Sequence, residues 1–163
     1  MNMPLHRIVA AVSLALAASQ GFAADPLPAS PPAPAKAAPQ AKSLAQARAL
    51  IAEGQWAAAV SELERVNDSG SADWNNLMGY SLRKGKAANW AASEKYYDAA
   101  LRIDPRHRGA LEYSGELYLS MNDLPKAEQR LAALGQACGA SCAEYADLKT
   151  SIDSFKANGG RKN

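Results

Sequence analysis

The chain has 163 residues and a mass of 17.2 kDa, and once its compositionally distinct first 40 residues are set aside, about 120 remain to fold, too few for a large multidomain enzyme. Eighteen basic and 16 acidic residues leave a formal charge of +2, too balanced for electrostatics to name nucleic acid or an anionic membrane as partner. Alanine abounds, aromatic residues are 7% of the chain, and runs of Val, Ile and Thr are lacking, which points to helices and away from sheets.

In chain order, the first element reads as a signal peptide over residues 1–23. His6 and Arg7 give a basic start, Ile8 to Ala18 an apolar stretch, and Gly21, Phe22 and Ala23 a small-residue exit with cleavage expected after Ala23. The apolar stretch is far shorter than the roughly 20 residues that span a bilayer, so no membrane span is expected. The expected location is therefore periplasmic or secreted. Residues 24–40 carry Pro26, Pro28, Pro31, Pro32, Pro34 and Pro39 among alanines, a composition that lacks backbone donors and makes a semi-extended linker.

From residue 41 a period of 34 residues emerges, in which Trp56 aligns with Trp90 and Leu124, Ala59 with Ser93 and Ala127, Leu63 with Tyr97 and Leu131, and Val66 with Ala100 and Leu134. Within each copy the spacing of three and four puts these residues on one helical face. The half of each copy before that face supplies a second helix, whose packing face in the middle copy is Leu77, Met78 and Ser81. In the first copy Ala47 and Leu50 lead to Gly54, suited to a left-handed helix end. In the third, Leu111, Gly115 and Tyr118 share a face, and Gly115 is expected to let the backbone of its hairpin partner come close, before Asn122 and Asp123 break the helix. Gly79 sits early relative to the period, so the turn between Leu82 and Trp90 is expected to be longer than its counterparts.

Gly115-x-x-Tyr118 with Ala127-x-x-x-Leu131, and Trp74-x-x-Leu77 with Tyr97, Ala100 and Asp104-Pro105, make residues 41 to about 136 resemble the tetratricopeptide repeat (TPR) family. The resemblance implies an all-α fold, a right-handed superhelix of three helical hairpins. Tyr145, Leu148, Ile152 and Phe155 then predict an amphipathic capping helix, so that the folded domain spans 41–157, and Gly159 and Gly160 fall in a disordered tail, 158–163.

Chemistry is sparse. His107 is the sole imidazole after the signal and lies in the run Arg106-His107-Arg108, where it reads as a solvated turn residue. No nucleophile, base and orienting group can be assembled, so no enzymatic activity, cofactor or metal is expected. Cys138 and Cys142 have C-x3-C spacing, which suits neither the C-x2-C of thiol oxidoreductases nor half of a common zinc site, and they are read as a disulfide between the last hairpin and the capping helix. An accessory role in metal delivery or thiol redox through this pair is the alternative.

In a stack of hairpins the first helices line the concave side, and the stripe they turn away from their partners is Leu44, Arg48 and Ile51, then Asn76, Tyr80 and Arg83, then Glu112, Glu116 and Leu119. The expected function is an exported scaffold whose groove binds a peptide or helical segment of an envelope protein, with no nucleic acid involved. A structural subunit of an envelope assembly, acting through its end surfaces and tail, is a further reading.

Overall fold

A computed structural model describes residues 43–160. The signal peptide at 1–23, the linker at 24–40 and the last residues of the tail lie outside the described residues. Among the described residues there are seven helices and no strand: α1 (Ala45–Ala52), α2 (Trp56–Val66), α3 (Ala72–Lys84), α4 (Trp90–Ile103), α5 (Arg108–Ser120), α6 (Leu124–Cys138) and α7 (Ala143–Ala157). None is long and apolar enough to cross a membrane.

Local chemistry sets the boundaries. Four helices begin on a side chain that accepts from a first-turn amide: Ser71 from Trp74, Asn89 from Ala92, His107 from Ala110 and Asp123 from Lys126. Three helices end in the same way. Gly54, Asn122 and Gly159 take left-handed φ values of 71°, 61° and 64°. In each case the next amide donates to a carbonyl five residues back: Gln55 to Leu50, Asp123 to Tyr118, Gly160 to Phe155. Gly159 and Gly160, assigned from sequence to an unstructured tail, thus close α7. The α3–α4 connection is residues 85–89, against 53–55 and 121–123 for α1–α2 and α5–α6, so the longer turn is present.

Consecutive helices pack on one another, and α1, α3, α5 and α7 also touch in succession. Three apolar clusters result. Ala47, Leu63, Val66, Trp74, Leu77 and Met78 join α1, α2 and α3. Tyr97 and Ala100 of α4 meet Ala110 and Leu117 of α5. Leu111, Tyr118, Leu119, Ala127, Leu134, Leu148, Ile152 and Phe155 unite α5, α6 and α7. Ion pairs from Lys126 to Glu94 (3.4 Å) and from Arg130 to Asp98 (3.1 Å) link α4 to α6.

Two packing expectations change. A Cβ on Gly115 would lie 2.5 Å from Leu148 Cδ2, so the space this glycine leaves is filled by a side chain of α7, and the hairpin partner α6 is not what it admits. The close approach within a hairpin occurs at Gly79, where a Cβ would stand 2.8 Å from the Tyr97 ring and 3.1 Å from the Ser93 carbonyl oxygen of α4. Trp90, aligned with the packing residues, remains 43% exposed, because as the first residue of α4 it projects off the helix end.

A candidate binding face on the first helices

The sequence stripe assembles in part. On α1, Arg48 pairs with Asp73 of α3 at 2.7 Å, and Asp73 also meets Nε2 of His107 at 2.9 Å. The His107 Nδ1 accepts the Ala110 amide, so the ring is an N-cap strapped to α3 and its expected solvated role is corrected. Leu44 and Ile51 lie partly buried against the α1–α3 cluster and present only their edges to solvent.

The centre of the face is aromatic. The Tyr80 ring stands edge-on to Trp56, with centroids 5.8 Å apart, and 4.5 Å from Tyr113 of α5. Beneath them Arg83, whose side chain is 6% exposed, donates to Glu116 at 2.7 Å and holds its guanidinium 5.5 Å from the Tyr80 centroid and 5.9 Å from that of Tyr113. Burial works against the Arg83 charge, but Tyr97 and Glu116 more than offset it and the group stays firmly cationic. Arg83 is therefore an internal strut from α3 to α5, not a free groove cation.

Toward the starts of the helices the face opens into a cavity of about 720 Å³, lined by Asn76, Tyr113, Glu112 and Glu144 together with Arg48, Asp73, Arg106, His107 and Arg108. Glu112 is 9% exposed, and burial first, then the carboxylates of Glu116, Asp147 and Glu144, push its carboxyl up to about 7 against a smaller opposing pull from Arg83. Burial likewise pushes the Tyr113 hydroxyl up to about 12. Asn76 is 7% exposed and its Oδ1 has no hydrogen-bond partner.

Leu119 departs from the expected stripe. It is 2% exposed and belongs to the cluster with Leu148, Ile152 and Phe155, because α7 packs across α5 and covers this end of its face. Asp73, Tyr113 and Glu144 were missed by the sequence reading. Asp73 and Tyr113 lie three residues before Asn76 and Glu116, so a stripe widened to both helical spacings would have included them. Glu144 belongs to α7, which was read as a cap alone.

Cys138 and Cys142 are joined, with Cα atoms 6.0 Å apart, at the end of α6 and the N-cap of α7. A ligand oxygen of Glu144 lies within 4.8 Å of both sulfurs. Compared with protein-family models, curated proteins and solved structures, the chain finds no match.

Proposed function

We propose that this chain is an exported, non-enzymatic interaction protein of the TPR type, in which α1, α3, α5 and α7 line the concave side of a right-handed superhelix and hold a peptide or helical segment of an envelope partner. The architecture is supported by α2, α4 and α6 beginning at Trp56, Trp90 and Leu124, one 34-residue step apart, and by first helices that touch in succession. The observation that carries the functional reading is the aromatic and charged face itself. Tyr80 and Tyr113 are each only partly buried, and they are braced from below by the Arg83–Glu116 pair, so a partner meets large contact area that is already ordered.

The test is site-specific photocrosslinking in intact cells. A crosslinking residue at Tyr80 should capture one discrete partner band, and the same residue at Lys95 on α4 should not. Equal capture from both positions would remove the groove from the account. Fractionation with N-terminal sequencing checks export, with the mature chain expected to begin at Ala24.

Metal delivery or thiol exchange stands as a second reading on one observation, the gathering of Cys138, Cys142 and Glu144. The joined sulfurs would have to be reduced before they could bind a metal, so thiol counting on freshly isolated protein separates the two readings.

A further inference from the structure

The cavity at the starts of α3, α5 and α7 holds charges of both signs, and most are already matched. Arg48 pairs with Asp73, Arg108 with Glu144 at 3.4 Å, and Arg106 donates to the Ala137 carbonyl at 2.7 Å. Glu112 differs from its neighbours. Among the described residues its carboxylate has no hydrogen-bond or ion-pair partner, although nine-tenths of the residue is buried. Asn76, equally buried and on another helix, also lines the cavity, and its Oδ1, shielded from solvent, has no hydrogen-bond partner. The Glu112 carboxylate reaches the cavity mouth from a largely buried residue and lacks a donor, so a positively charged donor entering the cavity would supply one.

We propose that this cavity is a pocket for an organic cation, the alkylammonium or guanidinium of a lysine or arginine side chain on the segment held in the groove, with Glu112 as its counter-charge and Asn76 as a second acceptor. This deepens the groove reading and rests on it for the source of the side chain. Size and chemistry select the class. Among the described residues the only His, Cys, Asp and Glu ligand atoms that gather in threes within 4.8 Å are those of Cys138, Cys142 and Glu144, so Glu112 belongs to no cluster tight enough to chelate a bare ion. The cavity, at about 720 Å³, has room for the end of a long side chain, and the Tyr113 ring on its wall already lies beside one guanidinium, that of Arg83. An anion would meet the Glu112 carboxylate and would have to displace arginines from existing partners.

The experiment is an NMR titration of the full chain with n-butylammonium, and with n-butanol, acetate and calcium as comparators. The ammonium should shift the Asn76 side-chain and Gly109 amide signals saturably, while n-butanol should not. Glu112→Gln should weaken the ammonium about tenfold, as expected for loss of a charge-assisted contact. The unmodified chain provides a second measure that needs no variant. Its affinity for the ammonium should fall as pH drops through 7, since protonation removes the counter-charge. The groups facing Glu112 in that titration are Asn76, Tyr80 and Arg83 of α3, Tyr113 and Glu116 of α5, and Glu144 and Asp147 of α7. Saturable binding of acetate or calcium at the same signals, or ammonium binding indifferent to both Glu112→Gln and pH, overturns the proposal.

A displayed random-peptide library separates this inference from the groove reading. Enrichment of peptides with a shared lysine or arginine, lost on Glu112→Gln, supports both. Enrichment without a basic residue overturns the cation pocket and leaves the groove standing. Saturable ammonium binding with no peptide enrichment supports the pocket and removes the groove.

Discussion

Glu112 is a carboxyl whose environment favours the proton, and the consequence for stability has a definite sign. Its ordinary pKa is 4.5 and the folded value is about 7, so between those limits the folded chain binds more protons than the unfolded one and stability falls as pH rises. The loss is complete above about pH 7. Allowing for partial solvent screening near the cavity mouth, it should amount to about 1–2 kcal/mol. Glu112→Gln should therefore raise the urea midpoint at pH 8 and leave it nearly unchanged at pH 4. A variant equally stabilising at both pH values would show that shape and not charge is at issue. Arg83 behaves oppositely. Arg83→Ala breaks the 2.7 Å pair with Glu116 and empties the space of a side chain only 6% exposed, and should cost about 3 kcal/mol in chemical denaturation. Retention of full stability would mean that the Arg83–Glu116 contact is made in water and is worth little.

At the level of helices, the two glycines in α3 and α5 carry different contacts. The Gly79 neighbours include backbone, the Ser93 carbonyl, and cannot give way, whereas the three atoms nearest a Cβ on Gly115 all belong to the end of the Leu148 side chain. Leu148 is wholly buried, so its methyl groups have little space to retreat into, and Gly115→Ala should destabilise by about 1–3 kcal/mol. Leu148→Ala alone should cost about 2–5 kcal/mol through its cavity. Because the new methyl occupies volume that the truncation vacates, the double variant should be less destabilised than the sum of the two. A strictly additive cycle would mean that the two side chains do not meet. This pair also marks where sequence legibility stopped. Periodicity placed Leu77, Met78, Ser81, Leu148, Ile152 and Phe155 on buried faces, and all are buried, because a 3.6-residue repeat records which side of a helix is apolar. It does not record which neighbour covers that side. Hence Gly115 was matched to α6 and Leu119 left in the groove, when α7 is what reaches both. The central tyrosine and Glu112 of the candidate site were legible as a stripe, but the bracing of Arg83 and the His107 strap depend on contacts 33 and 34 residues apart, which no local pattern contains.

Across the described residues as a whole, contacts run between neighbouring helices and successively through α1, α3, α5 and α7, so stability is expected to be distributed along the chain of helices and not shared equally by every part of it. The first helix, α1, and the interior helix α5 differ sharply. Helix α1 has one buried residue, Ala47, lacks a side-chain N-cap, and is tied to α3 on its polar side by the half-exposed Arg48–Asp73 pair. Helix α5 has eight buried residues, a His107 cap, the Arg83–Glu116 pair on one flank and α7 on the other. A surface ion pair contributes about 0–1 kcal/mol, too little to hold a short helix when burial is slight. Native-state hydrogen exchange should therefore find α1 amides opening well below the free energy of global unfolding, with α5 and the adjoining half of α6 exchanging only through it. Asp73→Asn, which weakens the pull on Arg48, should speed exchange in α1 with little change in α6. If α1 amides prove as protected as those of α5, or if Asp73→Asn slows or speeds all helices together, the described helices unfold as one cooperative unit and the distributed picture fails.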